Sequence, residues 1–204
     1  MKLLIGVPCT DYVHAEFMKC LLKLTRKLNR DGIEYEIYIK SGALVYLSRE
    51  AIASEAIMKG FTHILWLDSD MIFPDTIVDD LMKSGKSFVS GVYHSRHAPY
   101  FSCIFTGIEP PERVKEYPSD VFPIQGCGFG CVLVDMRIHR KVFQDYGCNF
   151  QPVQEYGEDL AFCNRVIKSG FEMWCDPNVQ LGHIGHVSIY PDMASAKSVM
   201  GQTK

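Results

Sequence analysis

The segment His63-Ile64-Leu65-Trp66-Leu67 runs straight into Asp68-Ser69-Asp70. A strand that is apolar on both faces has to be covered on both, as in the interior of a parallel sheet flanked by helices. That one stretch restricts the chain to few architectures. It also places two carboxylates where such a strand emerges, at the edge where open α/β sheets bind ligands.

The neighbouring sequence keeps the same rhythm. Leu3 to Val7 is a short apolar run closed by Pro8, read as a first strand and not as a leader peptide, because its apolar stretch is too short. Phe17, Leu21, Leu24 and Leu28 repeat at helical spacing with charges between them, and Gly32 ends that helix. Ile33, Tyr35, Ile37 and Ile39 alternate as a second strand. Ser48 is the expected N-cap of a helix carrying Ile52, Ala53, Ala56 and Ile57 inward, closed by Gly60. Pro74 and Asp75 open a further helix, and Phe88-Val89-Ser90-Gly91 is a fourth strand. The fold class expected is α/β, with a twisted, mostly parallel central sheet and helices on both faces.

The second half is less regular. A strand is expected within Tyr100 to Thr106, and an exposed loop from Glu109 to Asp120. Gly126-Cys127-Gly128-Phe129-Gly130 leads into the strand Cys131-Val132-Leu133-Val134, followed by a helix near Arg137 to Tyr146. Gly157-Glu158-Asp159 opens another helix, with Leu160, Cys163, Val166 and Ile167 inward. Phe171 to Cys175 and Val179 to Leu181 read as short strands. The organisation expected is one domain over residues 1–190, divided near residue 92, followed by a mobile tail, 191–204.

Composition removes several classes. With 47% hydrophobic residues the chain is not disordered, and 21 Lys+Arg against 24 Asp+Glu give a formal charge of −3. Binding dominated by a phosphate backbone calls for a basic chain, so the cluster Lys19, Lys23, Arg26, Lys27 and Arg30 is read as the solvated face of the first helix. No apolar run approaches the roughly 18 residues of a membrane span. The eight cysteines are scattered and are expected to be reduced thiols in a cytoplasmic protein.

Asp68 and Asp70, two apart, would lie on one side of an extended chain. Hard divalent cations take one or two such carboxylates together with substrate phosphates. A bare Asp-x-Asp is a common turn, and its weight comes from the strand it terminates. Glu158 and Asp159 are in themselves well explained by the preference for acids in a first helical turn, although a carboxylate there can also serve as general base. His183 and His186 follow the last strand, and either can supply an imidazole to an ion at Asp70. The Gly126 loop precedes a strand and not a helix, so it is no dinucleotide fingerprint, and its glycines allow close backbone approach to a ligand. Cys127 and Cys131 lack the second pair of a zinc site. Tyr93, His94, Arg96 and His97 follow the fourth strand as a candidate phosphate or acceptor contact.

The order of these pieces carries a resemblance. Val7-Pro8-Cys9-Thr10, Ser48-Arg49, Leu65-Trp66-Leu67-Asp68-Ser69-Asp70, the loop at Gly126, Gly157-Glu158-Asp159 and Gly182-His183 occur in the sequence seen in family-2-like glycosyltransferases of the GT-A fold. The small bacterial and bacteriophage members are the most similar, over about Lys2 to Ile189. The resemblance implies a nucleotide-diphosphate sugar donor, UDP-linked in the first instance, and Mn2+ or Mg2+. It implies Asp70 as metal ligand, Asp68 on donor ribose or metal-bound water, and His183, or else His186, completing the metal shell. It further implies Pro8, Cys9, Thr10 and Asp11 at the nucleoside, and Arg49 and Ser69 at the donor. Gly126, Cys127 and Gly128, with Arg96 and His186, would border sugar and acceptor. Asp159 matches the catalytic base, beside Glu158, and the expected stereochemical outcome is inversion.

Two other readings stand beside it: a nucleotidyltransferase and a non-catalytic nucleotide-sugar-binding module. The first strand lacks the glycine-rich basic loop of the former, and the intact acids argue against the latter. Acceptors left open are a glycan, a lipid, a protein and a hydroxylated DNA base.

Overall fold

The computed structural model describes residues 1–97, 99–153 and 156–185. The chain begins as β1 (Lys2–Cys9), α1 (Ala15–Arg30), β2 (Glu34–Ser41), α2 (Val45–Met58) and β3 (His63–Leu67), with β1 parallel to both β2 and β3. Next come β4 (Met71–Ile72), α3 (Ile77–Met82), β5 (Phe88–Val92), β6 (Ile104–Ile108), β7 (Pro111–Arg113), β8 (Phe122–Ile124) and β9 (Gly126–Cys127). The chain continues through β10 (Cys131–Asp135), α4 (Met136–Tyr146), α5 (Glu158–Lys168), β11 (Met173–Gln180) and β12 (Gly182–His183). The tail expected at 191–204, with His186 and Ile189, lies outside the described residues.

The main sheet has seven strands in the order β2-β1-β3-β10-β5-β11-β8. Strands β2, β1, β3, β5 and β11 run one way, while β10 and β8 run against them. The mostly parallel sheet is therefore present, with β10 wedged antiparallel between β3 and β5 and β8 antiparallel at one edge. Residues from the second half of the chain sit in the middle of the sheet, so both halves share one core.

Period-two alternation sorts the strand side chains between two apolar layers. Leu3, Ile5, Leu65, Leu67, Val89 and Leu133 face α1 and α3, whereas Leu4, Ile64, Trp66, Phe88, Val132 and Val134 face α2, α4 and α5. Helix α1 contributes the expected stripe, Phe17, Leu21, Leu24 and Leu28, all buried. Sinking each is worth about 1.5–3 kcal/mol relative to exposure. Gly6 in β1 lets α2 approach closely, because a Cβ there would lie 2.8 Å from Ile52 Cγ2. Helix α4 is capped at both ends: the Asp135 carboxylate accepts the Arg137 N–H, and Gly147 closes it at φ +71°.

Several local expectations need correction. Helix α2 starts at Val45, before Ser48, so Ser48 is a buried interior residue and Leu44 holds the N-cap position without a side-chain cap. The loop expected over 109–120 contains β7, which joins β6 and β9 in a small three-stranded sheet. The two short strands expected near the end are one strand, β11. The pair β4–β12 has no periodic signal, because two residues are too few to show one. The eight cysteines are unpaired, as expected.

Candidate functional site

The carboxyl ends of β1, β3 and β5 converge on a cleft of about 620 Å³. That volume lies within the usual range for ligand sites. Its walls come from elements far apart in the chain. Pro8, Cys9 and Thr10 come from the end of β1, Gly42 and Ala43 from the connection between β2 and α2, and Val45 and Arg49 from the first turns of α2. Asp68, Ser69 and Asp70 leave β3, and Arg96 follows β5. Glu158 and Asp159 open α5, and His183 arrives on β12.

After Leu67 the backbone turns instead of remaining extended, with the Met71 N–H on the Asp68 carbonyl at 3.2 Å. The two aspartates consequently engage different partners. Asp68 Oδ1 accepts from Arg49 Nη2 at 2.9 Å. Arg49 is buried on α2, donates through Nη1 to the Phe129 carbonyl at 3.4 Å, and points Nε towards Glu158 Oε1 at 3.6 Å. Its Nε makes no hydrogen bond. The guanidinium also lies over the Phe129 and Phe150 rings. Burial works against its charge, but Asp68, Glu158 and Asp159 outweigh that and raise its pKa. Burial raises the Asp68 carboxyl to about 6, with Arg49 opposing and Asp70 and Asp159 adding to the rise.

Asp70, also buried, is ion-paired to Arg96 through Oδ2, and His183 Nε2 faces the same oxygen at 3.4 Å. His183 is held from behind by its Nδ1, 2.8 Å from the His94 carbonyl. A carbonyl only accepts, so Nδ1 carries a proton; protonated at both nitrogens the ring donates Nε2–H to Asp70, and neutral it leaves the Nε2 lone pair free for an ion. The ring also meets the buried Tyr93 edge-on at 5.4 Å. Burial disfavours the Asp70 charge, yet the His183 hydrogen bond and the charges of His183 and Arg96 hold its carboxyl below the usual range. The contact with Asp70 raises His183 correspondingly.

What brings His183 to Asp70 is the β4–β12 ladder. His183 pairs with Met71, and the Ile184 N–H bonds the Asp70 carbonyl at 2.9 Å.

Asp159, also lining the cleft, is half-buried at the first turn of α5, and its Oδ1 accepts the Leu160 N–H at 2.8 Å. Burial first, and Glu158 second, push its carboxyl above the ordinary range. A carboxylate held so is a stronger proton acceptor than a solvated one.

Other expected site residues are elsewhere. Gly126, Cys127 and Gly128 do not line the cleft. Their close packing serves the protein interior: a Cβ on Gly126 would lie 2.8 Å from Leu160, and one on Gly128 would lie 2.2 Å from the Tyr93 hydroxyl. Asp11 is exposed and is not among the lining residues. His186 falls outside the described residues. Lining residues that the sequence did not single out for the cleft are Tyr12, His14, Gly42, Ala43, Val45 and Phe129. Tyr12 and His14 follow the first strand's end, so their position relative to β1 was the available signal.

Asp70 and His183 fit one cation as a carboxylate–imidazole pair whose imidazole is oriented through its other nitrogen. Among the described residues no group of three His, Cys, Asp or Glu side chains converges on a metal position. Any ion there would take its remaining ligands from substrate and water.

The fold is similar to several solved structures. A197 from STIV matches with a TM-score of 0.56 and 19% identity, over 93% of this chain and 100% of that one. The catalytic domain of Drosophila beta1,4galactosyltransferase 7, in complex with xylobiose, matches at 0.54 and 15%, over 99% and 82%. GalNAc-T7 with UDP, GalNAc and Mn2+ matches at 0.55 and 11%, over 92% of this chain and 44% of that one. The likeness is one of fold, a GT-A-like α/β architecture. No protein-family model and no curated protein matches the sequence.

Proposed function

We propose that this protein is a divalent-metal-dependent glycosyltransferase that moves a sugar from a nucleotide diphosphate, a UDP-sugar in the first instance, to an acceptor hydroxyl. The observation that carries the reading is the Asp70–His183 pair, Oδ2 to Nε2 at 3.4 Å, in a cleft lined by four carboxylates (Asp68, Asp70, Glu158, Asp159) and two guanidiniums (Arg49, Arg96). A diphosphate would be repelled by that excess of negative charge unless a cation came with it. The fold likeness supports the same choice, since the GalNAc-T7 structure holds UDP, GalNAc and Mn2+, and a mutant of the Drosophila protein holds manganese, UDP-Gal and xylobiose.

Asp70 and His183 would hold the ion, which supplies positive charge to the departing diphosphate. Arg49 keeps Asp68 and Glu158 in place from beneath. Pro8, Cys9, Thr10 and Ser69 line the same cleft and are assigned to the nucleoside side of the donor. Asp159 takes the proton from the acceptor hydroxyl, whose oxygen attacks the anomeric carbon. The sugar–phosphate bond breaks, and its electron pair leaves with the nucleoside diphosphate. One displacement of this kind inverts the anomeric centre.

Incubation with UDP-sugars and Mn2+ is expected to release UDP, with loss of release on chelation and in Asp70→Ala. Release of pyrophosphate instead would assign a nucleotidyltransferase. Undiminished turnover by Asp70→Ala would remove the metal role.

A further inference from the structure

The two edges of the main sheet are built differently. At one edge β8 is three residues long and contains Pro123, a short strand with a missing donor. Such features protect an edge from pairing with another strand. At the other edge β2 is eight residues long, contains no proline, and pairs with β1 in unbroken register from Lys2↔Glu34 to Cys9↔Ser41. Among the described residues its outer side has no strand beside it. Ile37 and Ile39 are 38% and 41% exposed there. A long, regular edge with exposed β-branched residues is a template for strand addition.

We propose that β2 is a homodimer interface, pairing antiparallel with β2 of a second copy about a twofold axis through Tyr38. The sequence of the strand is complementary to itself in that register. Tyr38 meets Tyr38, Ile37 meets Ile39 twice, and Glu36 meets Lys40 twice. Opposed residues in an antiparallel pair point to the same face, so the isoleucines fall together on one face and the Glu–Lys pairs with the tyrosines on the other. An axis perpendicular to the sheet also keeps each helix layer on its own side, which requires paired residue numbers with an even sum. Centring on Ile39 opposes Lys40 to Tyr38 and Glu36 to Gly42, losing both ion pairs. Centring on Ile37 leaves Glu36 against Tyr38 and pairs Glu34 with Lys40. The Tyr38 centre brings all four isoleucines together and gives Glu36 a cation, whereas the Ile37 centre sets Ile39 against Tyr35 and leaves Glu36 without one. Glu36 already accepts from Lys59 of its own chain at 3.0 Å, and this exposed pair can share the carboxylate with Lys40 of the second copy.

The test is sedimentation velocity over a concentration series, with circular dichroism confirming the fold of each variant. Wild type is expected to show reversible monomer–dimer exchange. Each substitution acts twice in a symmetric pair, so Glu36→Lys and Lys40→Glu should each weaken association about tenfold. The double exchange E36K/K40E should restore it, while Glu34→Lys should leave it unchanged. A wild type that stays monomeric overturns the interface. Dimerisation indifferent to the single exchanges, or a double exchange without recovery, overturns the register and with it the proposal. The experiment reads association alone, so its outcome is independent of the enzymatic reading.

Discussion

The guanidinium of Arg96 is ion-paired with Oδ2 of Asp70, the same oxygen that His183 Nε2 faces from 3.4 Å. A buried carboxylate at the rim of an acidic cleft needs a counter-charge, and an exposed, long side chain supplies it here. The divalent ion proposed at Asp70 and His183 would have to displace that contact.

Removing the competitor should therefore strengthen metal binding. Arg96→Ala is expected to bind Mn2+ several-fold more tightly than wild type in the absence of donor, as measured by titration calorimetry. Equal or weaker binding would mean that Arg96 does not occupy the cation position.

Asp159 lines the same cleft, with its proton affinity raised by burial and Glu158. Asp159→Asn keeps the shape and removes the proposed base, so donor and metal affinity should persist while transfer to acceptor falls about 10²–10⁴-fold. Equal losses in donor binding and transfer would assign Asp159 to binding instead.

Among the described residues Arg49 is the one buried cation paired with Asp68 and Glu158. Arg49→Met leaves those carboxylates without their partner, and the expected loss is about 3–5 kcal/mol of unfolding free energy in urea. Arg49→Lys should recover part of it. A loss below about 1 kcal/mol, the size expected of an exposed pair, would show the ion pair to be solvated.

Behind the cleft, His139 accepts the Trp66 indole N–H at 3.2 Å and lies 3.0 Å from Asn149 Oδ1. The ring is buried and stacked on Phe162, and burial lowers its pKa from 6.5 to about 4. Between those values the unfolded chain binds more protons, so stability is complete above the unfolded pKa and is lost as pH falls towards 4. From pH 7.5 to about 5 this group alone removes about 2 kcal/mol. His139→Gln should lack that component, so the gap between wild type and variant in urea melts narrows on acidification. A gap that does not change with pH would mean His139 is charged in the folded state.

Much of the frame is legible locally. The stripe of α1 is visible because helical periodicity lies within one short segment, and β3 is visible because a doubly buried strand must be apolar throughout. The position of Asp68 and Asp70 at its end follows from the same run, as does the acidic opening of α5. Spacing alone misplaced the directions of the two aspartates, since the turn after Leu67 sends one to Arg49 and the other to Arg96. The glycines of 126–128 looked like a ligand loop, yet the space they leave is filled by Leu160 and Tyr93.

What the amino-acid order determined by itself is the set of elements and the edge at which carboxylates gather. The tertiary structure decided which of those groups meet. Strand β10 enters antiparallel between β3 and β5, Arg49 is carried under Asp68 by α2, and His183 is delivered to Asp70 by two-residue strands more than a hundred residues apart in the chain. Periodicity reports a segment's own environment. Such long-range pairings are chosen by the fit of whole layers, and they leave no repeating mark in the residues that make them.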